Sequence, residues 1–320
     1  MTYRILVTDG VAISGLGPLV VDDSFVVLTV SDSASDEFIA ELRSADALIV
    51  RSATRVSSDM MSLAPRLKAI GRAGVGIDNV DIPAATERGI AVFNAPQANT
   101  VAAAELTIAL MISVARKIPA AESSLRRGEW DRARFRGVEL RGKILGLIGA
   151  GRIGSEVAVL GRAFGMEVIA CDPYLSGARA DELQVEMVDL DEILERADFV
   201  SIHVPLNHET RGILGADALE QMKPTTYLVN TSRGGVVDEA ALAEGLHRGD
   251  ISGAALDVYE GEPLAQDSPL RGAPNLVLTP HLGASTTEAQ LGVAAEVAEK
   301  IRILIQTGSF TDAVNASDLG

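Results

Sequence analysis

A chain of 320 residues, 47% of them hydrophobic and 22% charged, is long enough for about two domains and apolar enough to bury a core in each. Its formal charge of −16 opposes phosphate backbones and anionic bilayers, so neither nucleic acid nor a membrane is expected as a partner. One cysteine, Cys171, allows no internal disulfide, the N-terminal apolar run is too short for a signal peptide, and the apolar stretch 101–115 is broken by Glu105, which together predict a cytoplasmic protein.

In chain order, short apolar runs at 4–7, 25–30, 47–50, 68–70 and 90–93 suit strands buried on both faces, with helices predicted at 36–43 and 81–88. Asn99-Thr100 is expected to cap a long helix reaching 115, and a basic segment follows to Lys143. A second series of strands is predicted at 144–148, 167–171, 199–203, 227–230, 253–256 and 276–279, before a closing helix over 286–305. Strand and helix alternating in this way predict an α/β fold with two doubly wound parallel-sheet domains.

Gly149, Gly151 and Gly154 form G-x-G-x-x-G between a predicted strand and a predicted helix. The first glycine permits a tight turn, the second a close backbone approach to a pyrophosphate, and the third close helix–strand packing. Unpaired N–H groups at the helix start would then face the phosphates. Asp172, at the end of the next strand about 20 positions on, is placed to bind the ribose hydroxyls of NAD and to repel the extra phosphate of NADP. The alternative is a set of turn glycines and a helix-capping aspartate.

Ligands of an open parallel sheet bind beyond the carboxyl ends of its strands. Filtered by that rule, Thr231, Ser232 and Arg233 follow one strand, Asp257 and then Glu262 another, and His281 with Gly283 and Ala284 a third. Oxidation of a 2-hydroxy acid needs a base for the hydroxyl proton and a cation for the carboxylate. His281 can supply the first and Arg233 the second, while Glu262 can orient His281 and tune its basicity. A surface ion pair is the alternative for Arg233 and a loop charge for Glu262, with Glu260 as its competitor. Of the four histidines, His247 is expected on a solvated helix, His208 in a polar loop and His203 at a strand end in a structural role, with a place near the cofactor as its alternative.

Several segments together resemble the D-2-hydroxyacid dehydrogenase family: residues 50–54, 71–85 (GRAGVGIDNVDIPAA), 99–106, the glycine loop, 230–242 (NTSRGGVVDEAAL), 254–258 and 280–285 (PHLGAS). Within it they are most similar to the branch that oxidises D-3-phosphoglycerate to 3-phosphohydroxypyruvate at the start of serine biosynthesis. The resemblance implies Arg233, Glu262 and His281 as catalytic residues. It implies NAD contacts from Gly149, Gly151, Arg152, Ile153, Gly154, Asp172, the 231–233 turn, Asp257, His281, Gly283 and Ala284. Val204 and Val75 stand where relatives often carry threonine near the cofactor.

It also implies a substrate domain over 1–98, closed by 288–320, a Rossmann-type NAD domain over 99–287, and a cleft between them. Substrate contacts are expected from Arg51, Ser52, Ala73, Gly74 and Val75. A phosphorylated hydroxy acid needs local positive charge, and 126–143 holds seven basic residues against Glu129, Asp131 and Glu139. Arg132 and Arg134, carried on the dimer-forming segment, are the candidates to reach a cleft of this chain or of a neighbouring subunit, with a solvated loop as the alternative. A homodimer is expected through the helix after Asn99 and the segment behind it. No metal is called for, and the stop at Gly320 predicts no serine-sensing domain. The same core would serve a glyoxylate or hydroxypyruvate reductase, a D-lactate dehydrogenase, or a non-catalytic NAD-sensing corepressor.

Overall fold

The computed structural model describes residues 2–319. Its strands form two sheets in which every pairing is parallel. The first contains β1 (Tyr3–Val7), β2 (Phe25–Thr29), β3 (Ala47–Val50), β4 (Ala69–Arg72) and β5 (Ala91–Asn94), in the order β2-β1-β3-β4-β5. The second contains β6 (Ile144–Ile148), β7 (Glu167–Cys171), β8 (Glu186–Met187), β9 (Phe199–Ile202), β10 (Tyr227–Asn230), β11 (Gly253–Leu256) and β12 (Leu276–Leu278), in the order β12-β11-β10-β9-β6-β7-β8. The chain divides into a split unit, made of residues up to Asn99 and those from Ala284 on, and a continuous unit, Thr100–Gly283. The seams lie at 99/100 and 283/284, where the sequence suggested 98/99 and 287/288.

The two-residue period of a strand sends alternate side chains to opposite faces, and both faces are covered here. In the split unit, Ile5, Val7, Ile49 and Phe93 pack with Val293, Val297 and Ile301 of helix Thr287–Thr307. Leu6, Leu48, Val50 and Val92 face the other way, against Phe38 and Leu42 of helix Asp36–Leu42. In the continuous unit, Leu145 and Leu147 meet Met111 and Val157 on one face, while Val200, Leu228 and Leu256 meet Ile193, Leu219 and Leu242 on the other. Side-chain caps fix where helices begin: Ser35, Asp81, Asp238 and Thr286 each accept a backbone N–H from the first turn.

Elements differ from expectation where local pattern is weak. Edge strand β8 was not predicted, because it is two residues long and both are exposed, with no apolar period to read. The basic stretch contains helix Ile118–Arg126, entered from Lys117 at φ 52 with Pro119 in the first turn, and a short 3₁₀ turn at Ala133–Phe135. Asn99 does not cap the helix Thr100–Ala115 with its carbonyl, since its Oδ1 is buried and accepts no hydrogen bond among the described residues. Strand β9 ends at Ile202, leaving His203 just beyond it. No helix among the described residues is long and apolar enough to cross a membrane.

Edge strand β5 is closed by the C-terminal segment. Val314 N–H donates to Val92 O at 2.7 Å, and the buried Asn315 side chain completes the contact. Its Oδ1 accepts Val92 N–H at 3.0 Å, and its Nδ2 donates to Ile90 O at 3.0 Å and Thr86 Oγ1 at 2.9 Å. Covering the edge in this way satisfies backbone groups that would otherwise be offered to another chain. Asn315→Ala strands the buried Val92 N–H and Ile90 carbonyl and should cost about 2–3 kcal/mol. Thr86→Ala removes one partner only and should cost less. Urea unfolding of both variants checks this order; equal or negligible losses would contradict it.

Candidate active site

β6 runs into Gly149-Ala150-Gly151 and then into helix Arg152–Ala163. Gly149 sits at φ 89, in the left-handed region, and a Cβ there would stand 2.7 Å from the His203 carbonyl oxygen and 2.9 Å from Val204 Cγ1. A side chain at Gly154 would run into the Gly149 carbonyl. Gly151, in contrast, faces open space. It precedes a helix whose first-turn N–H groups have no intrahelical acceptor, so backbone donors and room for an anion coincide there. Arg152 and Ile153 begin that helix, Arg152 exposed and Ile153 half-buried.

Asp172 directly follows β7 and ties the loop down: Oδ2 accepts Ala150 N–H at 2.7 Å and Oδ1 accepts Tyr174 N–H at 2.8 Å. A carboxylate has about four acceptor positions, so capacity for hydroxyl donors remains after this structural work. His203 Nε2 lies 2.8 Å from the buried Ser201 Oγ, and desolvation pushes the imidazole down to about 4 although its edge keeps some solvent contact. It is a neutral, satisfied histidine at neutral pH. His208 and His247 are exposed.

At the carboxyl ends of β10, β11 and β12 the chain brings Arg233, Glu262 and His281 together. The turn after β10 is shaped by Asn230, whose Oδ1 accepts from Ser232 N–H at 3.0 Å and Oγ at 2.9 Å while Nδ2 donates to Arg233 O at 2.9 Å. A side chain at Gly234 would run into the Tyr259 carbonyl, so this glycine lets the Arg233 turn lie directly on the segment after β11. Thr231 is buried, its Oγ1 2.7 Å from Thr107 Oγ1.

Asp257 directly follows β11 and has no solvent exposure. Its Oδ1 accepts Thr279 O–H at 2.6 Å and Leu282 N–H at 2.7 Å, and its Oδ2 accepts Gly283 N–H at 2.8 Å. Burial raises its carboxyl above the ordinary range in spite of these bonds and of the nearby His281. Tyr259 O–H, pushed up to about 12 by burial, lies 2.8 Å from Thr279 O, which also accepts His281 N–H at 3.1 Å. So braced, His281 holds φ 54 and points Nδ1 at Glu262 Oε2, 2.7 Å away.

Glu262 Oε1 accepts Tyr259 N–H at 3.2 Å. Burial acts to raise its carboxyl, but the hydrogen bond and charge of His281, the Tyr259 N–H and the Arg233 charge outweigh this and hold it below the usual range. A carboxylate at Nδ1 makes that nitrogen the donor and leaves Nε2 as the acceptor. Glu260 turns elsewhere, its carboxylate 3.6 Å from Arg211. The choice between the two glutamates depends on the path of the chain after β11, which no spacing rule reveals.

The split unit carries its expected residues at strand ends as well. Arg51 and Ser52 follow β3, and Ala73, Gly74 and Val75 follow β4, where Asn94 Nδ2 donates to Val75 O at 2.6 Å. Arg72, the last residue of β4, is a further basic residue at a strand end, and its guanidinium lies where a side chain at Gly74 would be; the strand-end rule applied to the second sheet would find it in the first as well. Ala284 falls in this unit and not with the 279–283 loop.

Arg132 and Arg134 stand apart from Arg233, Glu262 and His281 within their own chain. Arg134 lines a cavity of about 340 Å³ with Lys117, Phe135 and Asn275, next to the amino ends of β11 and β12. The segment is drawn there by Val138 N–H, which bonds Ala115 O at 3.1 Å. In its own chain Arg134 therefore lies at the opposite end of the sheet from Arg233, Glu262 and His281, and Arg132 is exposed beside it.

Residues 108–283 match the family described as D-isomer specific 2-hydroxyacid dehydrogenase, NAD binding domain. D-3-phosphoglycerate dehydrogenase of Methanocaldococcus jannaschii is 48% identical over 285 residues, which is 89% of this chain and 54% of that protein. The chain spans about half the length of the curated relatives it matches. A crystal structure of a Thermus thermophilus protein aligns with TM-score 0.88 at 35% identity, covering 98% of this chain and 100% of that one. D-lactate dehydrogenase from Aquifex aeolicus, solved with NAD and lactic acid, aligns with TM-score 0.83 at 28% identity over 97% of this chain and 99% of that one. With its NAD-binding domain at 108–283, the chain belongs to the D-isomer-specific 2-hydroxyacid dehydrogenase family.

Proposed function

We propose that this chain oxidises D-3-phosphoglycerate to 3-phosphohydroxypyruvate with NAD, opening the phosphorylated route to serine. The observation that carries the chemistry is the Glu262–His281 pair at 2.7 Å beside the Arg233 turn, at the same sheet edge as the glycine loop. The choice of substrate is supported by the 48% identity to a protein named for it.

The open Gly151 position, the first-turn N–H groups of helix Arg152–Ala163 and the spare capacity of Asp172 fit a dinucleotide. Bound between these groups, NAD would supply the acceptor for the C2 hydrogen and its electron pair. His281 Nε2 takes the hydroxyl proton and later releases it to solvent, so that hydroxy acid and NAD⁺ become oxo acid, NADH and a proton. Glu262 fixes the ring and opposes the positive charge that the proton brings. Arg233 offers a planar fork to the substrate carboxylate. Asp257 holds the 279–283 loop in place, and its buried carboxylate is the neighbour assigned to the nicotinamide amide.

The split unit is assigned the phosphate end of the substrate, through Arg51, Ser52 and the Ala73–Val75 turn, with Arg72 beside them. Because Arg132 and Arg134 stand at the far end of their own sheet, any service to substrate goes to a second copy of the chain. A homodimer is favoured by Ile118, Leu125 and Trp130, which are 47%, 57% and 80% exposed on and just after helix Ile118–Arg126.

NADH formation with D-3-phosphoglycerate, D-lactate and D-glycerate side by side tests the proposal; turnover confined to the unphosphorylated acids would reject it. In the same assay Arg51→Ala should lose efficiency selectively with the phosphorylated acid, and a deficit shared equally by all three would remove Arg51 from the phosphate.

His281→Ala should lower turnover by about 10²–10⁴. Glu262→Gln should lose less, since the base remains, while Glu260→Gln should behave as the parent. A carboxyl held below its usual range stays charged at neutral pH, so the Glu262→Gln deficit should be present throughout the neutral range. A deficit in Glu260→Gln as large as in Glu262→Gln would reverse the assignment.

Cofactor choice follows from Asp172, whose carboxylate accepts from a 2′-hydroxyl and repels a 2′-phosphate. Parent enzyme should favour NAD over NADP in kcat/KM, and Asp172→Ser with a neighbouring arginine introduced should narrow the gap. Equal efficiency with both cofactors in the parent would count against this role.

A further inference from the structure

The 51–54 turn of the split unit is held from two sides by side chains of opposite hydrogen-bonding character. Asp9, just past β1 at φ 57, accepts Arg51 N–H at 2.8 Å and Thr54 N–H at 3.0 Å through Oδ2, and Thr54 O–H at 2.6 Å through Oδ1. Asn79 donates both hydrogens of its amide, to Arg51 O at 2.7 Å and to Thr54 O at 2.6 Å. Asn79 is anchored in turn: its carbonyl accepts Val56 N–H at 2.8 Å, and Asp81 N–H bonds Val56 O at 3.0 Å. The backbone of both ends of the turn is thus saturated by two side chains. Between the ends, Ser52 and Ala53 are exposed, and their N–H groups make no hydrogen bond among the described residues.

Packing alone would not specify these two residues. All three partners of Asp9 are donors, which suits a carboxylate that only accepts, and both partners of Asn79 are carbonyls, which suit an amide nitrogen. Both isosteric exchanges keep the volume: Asn79→Asp sets carboxylate oxygens against two carbonyls, and Asp9→Asn turns charge-assisted bonds into weaker neutral ones and reverses the bond with the Thr54 hydroxyl. A left-handed conformation at Asp9 is a further cost, sustained when the surrounding geometry demands it.

We infer that Asp9 and Asn79 are positioning residues for substrate: their clamp presents the Arg51 guanidinium and the Ser52 and Ala53 N–H groups to the phosphate of a phosphorylated hydroxy acid. The inference rests on the assignment of the phosphate end to this turn made above. Neither residue touches the ligand; each acts through the shape of the turn.

Asp9→Asn and Asn79→Asp test it, with Thr54→Val as a milder change that removes only the hydroxyl bond. Amide hydrogen exchange at Arg51 and Thr54 should quicken in Asp9→Asn and Asn79→Asp. KM for D-3-phosphoglycerate should rise about tenfold or more, the scale of losing one net hydrogen bond's worth of order, while kcat stays within about threefold. KM for D-lactate or D-glycerate, which lack the phosphate, should move little. Thr54→Val should show a fraction of the same KM effect.

An unchanged KM for 3-phosphoglycerate in both isosteric variants would overturn the inference even if exchange quickens. So would a fall in kcat shared by all substrates, which marks general loosening of the fold. A selective effect of Arg51→Ala with silent clamp variants removes the clamp and leaves the substrate assignment standing. The converse pattern, with Arg51→Ala silent, keeps the clamp and moves the phosphate to the turn's N–H groups. A parent enzyme that does not oxidise 3-phosphoglycerate at all sinks the assignment and the inference together.

Discussion

A carboxylate without solvent contact needs donors, and Asp257 finds three of them on one short loop, the Thr279 hydroxyl and the N–H groups of Leu282 and Gly283. Burial raises that carboxyl, so the bonds do not fully offset desolvation; the compensation is order. Removing any donor would leave a buried charge partly unmatched, which makes the loop a single-conformation element. The left-handed backbone of His281 and its aim at Glu262 depend on that constraint, and Tyr259 reinforces it by bonding the carbonyl that also receives His281 N–H.

Parallel sheets impose the larger plan. Every strand of each sheet runs the same way, so all strand exits gather on one edge, where loops can diverge without disturbing the packed faces. In the continuous unit that edge collects the glycine loop, Asp172, the Arg233 turn, Asp257 and the His281 loop. In the split unit it collects Asp9, the Arg51 turn, Arg72 and the Ala73–Val75 turn. Each edge is ordered by side-chain-to-backbone hydrogen bonds, from Asp172, Asn230 and Asp257 in one unit and from Asp9, Asn79 and Asn94 in the other. Loops so fastened can carry reactive groups with the precision of strands.

What the sequence made legible was whatever a short stretch determines by itself. Gly149 and Gly154 are readable because a positive φ and a backbone contact leave room for no other residue, and Asp172 because it ends the very next strand. The buried strands announce themselves as apolar runs, and Arg233 and His281 follow from where those runs end. Illegible were features set by distant chain. Glu262 and Glu260 are neighbours in sequence with the same chemistry, and only the course of the loop brings one of them to His281. Which cleft Arg134 could serve was equally hidden, because a backbone bond from Val138 to Ala115 sets the course of its segment within its own chain. The two exposed residues of β8 have no period to detect, and Asn315 meets Val92 across more than two-thirds of the chain.

That last contact bears on how the molecule is made. Strands β1 to β5 emerge first from a ribosome, yet one face of their sheet is covered by Val293, Val297 and Ile301, and their edge by Asn315. About 200 residues separate Phe93 from that helix, which at 5–20 residues per second is roughly 10–40 s of synthesis. The continuous unit, Thr100–Gly283, is complete before then and can close around its own core. The split unit meanwhile waits with an apolar sheet face and an unpaired strand edge, the features that recruit chaperones or invite association. The strands made before the continuous unit are therefore finished after it.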